Sequence, residues 1–382
     1  MTTYASVLHE HLIGRQGSRR ALNTPALVLD IEALDRNIAA MAAFARAAGL
    51  ALRPHAKTHK SADIARRQIA AGAVGVCCAK LGEAEALAAE GIEGILITSP
   101  IVGEPATARL VALAARAPTL MAAADHPDAV AAIGAAAKAA GVTVTLAVDL
   151  DPGLRRTGVA TAEGVADLAR RIADHPALRF GALQCYCGAE QHIEGYAERR
   201  EAIRARMEKL SAAIEALRAA GLAPPIVTGG GTGTHAIDAE LGVYTELQVG
   251  SYVFMDRQYG VCALREDGRA PFETSLMVDA RVISANHPQL VTIDAGLKAF
   301  ATEAGDPPIL AGAPEGSVYR FMGDEHGAVV PPRGTAPPKL GERVTLAAPH
   351  CDPTVNLYEA FHVVRGDTLE AIWPVTARGR SA

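Results

Sequence analysis

Between residues 50 and 250 the chain alternates short apolar runs of β character with alanine-rich stretches whose apolar positions recur at helical spacing. The runs are ALRPHAK (51–57), AVGVCCA (73–79), GILITS (94–99), TLMAAA (119–124), TVTLAVD (143–149), RFGALQCY (179–186), PIVTGG (225–230) and TELQVGS (245–251). Several are continuously apolar, as parallel strands covered by helices on both faces must be. Eight such β/α units predict an α/β fold, a closed (β/α)8 barrel. A doubly wound open sheet is the competing arrangement, because strand counting does not separate the two.

A ninth run, TPALVLD (24–30), precedes the first helix and is left over. Beyond residue 270 the pattern changes to strand-like segments such as LMVDARVI, QLVTIDAG and ERVTLAA, cut by Gly/Pro turns with few helical stretches. The expected organisation is a barrel over 31–268 and a β domain built from 1–30 together with 269–382.

Composition narrows the functional classes. Thirty-seven Lys+Arg against 42 Asp+Glu give a net charge of −5 without a basic block, which argues against nucleic-acid binding. No apolar run is long enough to span a membrane, and the N-terminal stretch lacks a secretory apolar core, so a cytoplasmic protein is expected. Six cysteines do not make a disulfide framework, and the Cys185/Cys187 pair has no second pair at zinc-site distance. Aromatics make up only 4%, so the core is built from Ala, Leu, Val and Ile.

Three segments carry candidate chemistry. Arg53-Pro54-His55-Ala56-Lys57-Thr58-His59-Lys60 closes the first barrel strand, at the end where barrel enzymes place their sites. Strand alternation sets His55, Lys57 and His59 on one face, and a partly desolvated lysine there has the lowered pKa that Schiff-base chemistry needs. The plain alternative is a solvated basic loop. Thr228-Gly229-Gly230-Gly231-Thr232-Gly233 follows the seventh strand, where converging amides can nest a phosphate, although glycine-rich turns are more often only turns. Lysine and nest together outline a site for pyridoxal phosphate. In Pro349-His350-Cys351-Asp352-Pro353 an extended chain presents His350 and Asp352 on the same side, a half-open N/O set for Mn²⁺, Mg²⁺ or Zn²⁺. If the segment is not extended, Cys351 replaces Asp352 as the candidate. Arg156 follows the fifth strand, and Gln184, Tyr186 and His192 lie in and after the sixth; an ion pair and a satisfied loop histidine are their unremarkable readings.

These motifs, with GVCCAKLGEAEA, LQCYCGAEQH, YTELQVGSYVFMD, VTIDAGLK, GDEHG and HCDPTVNLYE, resemble the D-threonine aldolase / D-serine dehydratase family of alanine-racemase-like pyridoxal-phosphate enzymes. The resemblance runs over nearly the whole length. It implies a barrel whose β domain recruits the N-terminal strand, with Lys57 rather than Lys60 as the Schiff-base lysine. It also implies Arg156 facing the pyridine ring, Tyr186 lining the cofactor, and Gly230, Gly231, Thr232 and Gly233 around the phosphate. Gln184 and Thr228 are further cofactor-side candidates. His350 and Asp352 match the metal ligands, and His192 a base near the metal. Dehydratase members resemble His-x-Cys with zinc, and aldolase members His-x-Asp with Mn²⁺ or Mg²⁺, so this chain is expected to cleave D-3-hydroxy-α-amino acids as a homodimer. The alternatives are a D-serine or D-threo-3-hydroxyaspartate dehydratase, a racemase, or a non-catalytic carrier of the cofactor. Departures fall near the cofactor: Ala79-Lys80-Leu81-Gly82-Glu83-Ala84 stands where the family commonly has QKVSEA, and Thr98-Ser99-Pro100 replaces a Ser/Asn-type strand end.

Overall fold

Two sheets organise the protein, a computed structural model that describes residues 3–382; the first two residues of the 1–30 segment lie outside it. In chain order the strands are β1 (Ala26–Asp30), β2 (Ala51–Leu52), β3 (Cys77–Cys78), β4 (Leu96–Ile97), β5 (Met121–Ala124) and β6 (Val144–Leu150). There follow β7 (Leu178–Cys185), β8 (Val227–Gly229), β9 (Glu246–Leu247), β10 (Leu276–His287), β11 (Leu290–Ile293) and β12 (Ile309–Ala311). The last are β13 (Val318–Phe321), β14 (Gly327–Val330), β15 (Arg343–Ala347), β16 (Ala360–Arg365) and β17 (Thr368–Pro374).

Strands β2 to β9 form one eight-stranded parallel sheet in the order β2-β9-β8-β7-β6-β5-β4-β3. Just past β2 the sheet curls shut: His55 bridges Cys77, the Cys77 amide donates to Pro54 O at 2.8 Å, and the Val74 amide donates to Leu52 O at 2.8 Å. This is the expected (β/α)8 barrel rather than the open sheet. Several strands pair over only two residues, far less than the apolar runs suggested, because the chain turns out toward the mouth as soon as the barrel layer is complete.

The covering helices follow from their apolar spacing. Helix Ala162–Ala173 buries Val165, Ala166, Leu168, Ala169 and Ile172 against the barrel. Its start is capped by Thr161 Oγ1 accepting the Gly164 amide, with Glu163 in the first turn and two arginines in the last.

The second sheet has nine strands, with the path β13-β14-β11-β10-β1-β16-β17 and β15 pairing both β10 and β12. The leftover strand β1 lies in its middle, antiparallel to β10 and parallel to β16, which explains why Ala26–Leu29 are all apolar and buried. At Asp30 the chain passes into the first barrel helix, Ile31–Ala47, without a linker: the carboxylate caps that helix by accepting the Glu32 and Ala33 amides.

Beneath the barrel mouth, Arg53 forks onto Glu246 at 3.0 and 2.9 Å, both side chains being almost wholly buried. Truncating one member of such a pair strands a charge. Glu246→Ala is expected to lower unfolding free energy by about 3–5 kcal/mol in urea denaturation. A loss below about 1 kcal/mol would mean that Arg53 readily finds other partners.

Candidate active site

At the C-terminal ends of the barrel strands opens a cavity of about 260 Å³. The basic segment after β2 supplies His55, Lys57 and Thr58 to its lining. The alternation expected there is not kept: Ala56–Thr58 forms a single 3₁₀ turn, so His55 and Lys57 line the cavity while His59 turns into the core. His59 is satisfied by Gln68 and the Ser61 amide, and Lys60 is taken up by buried Glu83 at 2.6 Å. Arg53, His59 and Lys60 are thus structural, which leaves Lys57 as the one amine of the segment at the cavity.

Lys57 Nζ stands 3.5 Å from Asp352 Oδ2, so the pKa of the lysine is not lowered as expected. The Asp352 charge raises it above the ordinary lysine value, outweighing the opposite effect of burial. Burial would push the Asp352 carboxyl up, but the charges of Lys57 and His350 hold it below its ordinary value.

The loops after β8 and β9 make the opposite end. Gly231 and Thr232 line the cavity from one loop, Gly250 and Ser251 from the other, and Thr232 Oγ1 accepts the Tyr252 amide at 3.0 Å to tie the loops together. The amides of Thr232 and Gly250 have no hydrogen-bond partner among the described residues. Free amides with no anionic side chain on the two loops suit a phosphate. The other members of the glycine run build the loop rather than the wall. Gly230 (φ +69°) packs against Asp238, and the Gly233 amide donates to Gln191 Oε1 at 3.0 Å. Gln248, Gly250 and Ser251 were not singled out from sequence, though they end the eighth strand candidate, where the loop rule for barrels points.

Gln184 and Thr228 belong to a buried polar ladder across the barrel. Gln184 Nε2 donates to Thr98 O and Asp149 Oδ1, both at 2.9 Å, and Gln184 Oε1 accepts from Gln248 Nε2 at 3.3 Å. Gln248 also donates to Thr228 Oγ1 at 3.1 Å, and Thr228 donates to Glu246 at 2.8 Å. Gln184 reaches the cavity; Thr228 is fully buried beneath it. Asp149 lines the wall, and burial pushes its carboxyl up to about 6. Arg156 lies 5.6 Å from the centroid of the Tyr186 ring, and both line the cavity.

The HCD segment is not extended. His350 occupies the N-cap position of helix Cys351–Leu357 without a side-chain capping bond, and Cys351 is the buried member: its amide donates to Asp256 Oδ2 at 2.8 Å and burial pushes its thiol well up. Asp352, not Cys351, faces Lys57. His350 Nδ1 lies 2.7 Å from Glu303 Oε1, which leaves Nε2 as its free nitrogen. Among the described residues no three His, Cys, Asp or Glu side chains gather as a closed metal site. A hard divalent ion held by His350 and Asp352 would therefore take its remaining ligands from water and substrate. His192 packs on Tyr259 with ring centroids 4.6 Å apart. Burial, then the charges of His350 and Lys57, lower its pKa, so its imidazole is neutral near pH 7.

A barrel-mouth lysine across a cavity from loop amides without protein partners among the described residues, and met by Asp352 from the β domain, fits a class of enzymes that known proteins also point to. The description "Alanine racemase, N-terminal domain" matches residues 29–258, and "Putative serine dehydratase domain" matches residues 275–364. The chain belongs to the alanine-racemase-like family, which implies pyridoxal phosphate. Within it, the chain is 42% identical over 360 residues to a D-threonine aldolase of Arthrobacter sp., covering 94% of each. It is 39% identical over 364 residues to a 3-hydroxy-D-aspartate aldolase of Paracoccus denitrificans (strain Pd 1222), covering 94% of this chain and 93% of the other. The crystal structure of D-threonine aldolase from Filomicrobium marinum superposes with a TM-score of 0.91 at 38% identity, covering 95% of this chain and 97% of that one.

A side chain at Gly231 would collide with Gln191, whose amide group also holds Cys187 O and Thr234 Oγ1. Gly231→Ala is therefore expected to weaken pyridoxal-phosphate binding by at least about fivefold, the lower end of overpacking costs. An unchanged dissociation constant in a cofactor titration would contradict the assignment of the nest.

Proposed function

We propose that the protein is a pyridoxal-phosphate- and divalent-metal-dependent aldolase. It cleaves D-3-hydroxy-α-amino acids, turning D-threonine into glycine and acetaldehyde. The observation that carries this reading is the placement of Asp352 beside Lys57, a residue of the cavity wall, while Cys351 is turned into the core. The hard carboxylate, not the thiol, is then offered to a metal, as the aldolase pattern requires. The aldolases at 42% and 39% identity support the same choice. A dehydratase, in which the same ion would expel hydroxide, is the reading it displaces. The ion is Mn²⁺ or Mg²⁺, and the working form is a cytoplasmic homodimer.

When bound, pyridoxal phosphate supplies an electron sink for the bond pair released at Cα, and a divalent ion acidifies a hydroxyl in contact with it. The chain's own residues do the rest. Lys57 would hold the cofactor, and the amides of Thr232 and Gly250, which have no protein partner among the described residues, would hold its phosphate. Arg156 presents its cation beside the Tyr186 ring at the cavity wall. His350, fixed by Glu303, and Asp352 are the residues that would hold the metal. His192, neutral at working pH, accepts the β-hydroxyl proton as the Cα–Cβ bond opens.

Lys57→Ala is expected to abolish the visible absorbance of protein-bound cofactor, and a retained band would remove Lys57 from its role. Asp352→Ala, or chelator added to the native enzyme, should lower glycine formation from D-threonine by roughly 100-fold; full activity in chelator would sink the metal assignment. Because His192 works as the neutral base and its pKa lies below the ordinary 6.5, kcat/KM should fall only as the pH drops beneath that value. A profile without this acid limb, or one kept by His192→Asn, would assign the base elsewhere.

A further inference from the structure

Tyr259 sits on the one-turn helix Arg257–Gly260, after the last barrel strand, and no role has yet been given to it. The residue is only 6% exposed and lines the cavity. Its amide is fixed by Asp256 Oδ1 at 3.1 Å, and its ring is fixed against His192 with an interplanar angle of 46°. The residue is therefore held at its backbone and at its ring. Yet its hydroxyl has no hydrogen-bond partner among the described residues, unlike the other buried tyrosines Tyr244, Tyr252 and Tyr319, whose hydroxyls bond Cys185 O, Gln68 and Ala295 O. The ring is buried, while the hydroxyl opens on the cavity and meets no protein acceptor there among the described residues. A clamped phenol that has none, at the wall of a reaction cavity, is a donor awaiting a ligand.

Its chemistry and surroundings narrow that ligand. A phenol ionises near pH 10, and burial together with Tyr186, Asp256, Asp352 and Cys351 pushes this one well higher, so the group is an O–H donor at working pH. Asp256, which fixes its amide, also accepts the Cys351 amide from the β-domain helix, so Tyr259 lies toward the domain boundary, and Tyr186 lines the same cavity. A β-hydroxyl has one proton and two lone pairs. His192, packed at a tilt on Tyr259, is the acceptor for the proton; a metal ion would take one lone pair, and the other is left for a donor. The acceptor site persists as the C–O bond becomes a carbonyl.

We infer that Tyr259 touches the substrate, donating its hydroxyl hydrogen to the β-oxygen of the D-3-hydroxy amino acid while His192 takes the β-hydroxyl proton. This rests on the aldolase reading above.

Tyr259→Phe keeps the ring against His192 and removes only a hydroxyl without a protein partner, so its melting temperature should match the parent's. The test is an absorbance titration of cofactor-loaded protein in chelator, where ligands bind without being cleaved. Glycine, which lacks the β-oxygen, is compared with D-threonine. The variant should bind glycine within twofold of the parent and D-threonine about five- to tenfold more weakly, the worth of one hydrogen bond. With Mn²⁺ restored, kcat/KM for D-threonine should fall with it. Equal affinities of variant and parent for D-threonine, or equal weakening for both ligands, would overturn the assignment. A parent enzyme that binds glycine but shows no D-threonine-induced change would overturn the aldolase reading, and this inference with it.

Discussion

The carboxylate of Asp256 accepts the Cys351 amide at 2.8 Å and the Tyr259 amide at 3.1 Å, and so joins the segment after the last barrel strand to the first turn of a β-domain helix. Two backbone bonds extend the junction, from the Arg257 amide to Ala348 O at 3.1 Å and from the Gln258 amide to Pro349 O at 3.3 Å. Asp256 is nearly inaccessible to solvent. Its burial cost is offset by capping one helix and anchoring another, which is how a buried carboxylate survives without a cation. Through this junction His350 and Asp352, on one domain, keep their register against Lys57 and His192 on the other. The site exists only as long as the two domains are docked in this way.

Inside the barrel a second constraint sets where the side chains at the mouth can point. The ladder from Arg53 and Glu246 through Thr228, Gln248 and Gln184 to Asp149 leaves each rung paired. In a low-dielectric interior each unpaired rung would cost about 1–3 kcal/mol, so the network rigidifies the floor beneath the cavity. Thr157, bonding the other oxygen of Asp149 at 2.9 Å, carries the floor's order into the loop that bears Arg156. The glycine loop and the 3₁₀ turn bearing Lys57 rest on that floor.

Much of this was legible in the sequence, for physical reasons that differ by element. The barrel strands showed as apolar runs because helices cover their outer face, and β1 was equally apolar because it is central in the second sheet. Lys57 and the glycine run showed because amines and consecutive glycines are chemically conspicuous. The local shape of two site segments did not show. Pattern alone read RPHAK as extended and left HCD open, with Cys351 as the ligand if the chain is not extended; the first enters a 3₁₀ turn, and the second starts a helix in which Asp352 nevertheless faces Lys57 and Cys351 is buried. The pKa of Lys57 was misjudged because Asp352 lies 295 positions away in sequence (352 − 57) but 3.5 Å away in space. Tyr259 was silent: a tyrosine in a polar loop carries no spacing signal, and its value lies in an unpartnered hydroxyl that only three-dimensional packing reveals.

The central claim is that this site breaks the Cα–Cβ bond rather than the Cβ–O bond of a D-3-hydroxy amino acid. Product stoichiometry from D-threonine with pyridoxal phosphate and Mn²⁺ tests it directly. Glycine and acetaldehyde in equal amounts, with no ammonia released, are the predicted result. Ammonia and 2-oxobutanoate as the main products would contradict it, and would make the protein a dehydratase built on the same fold.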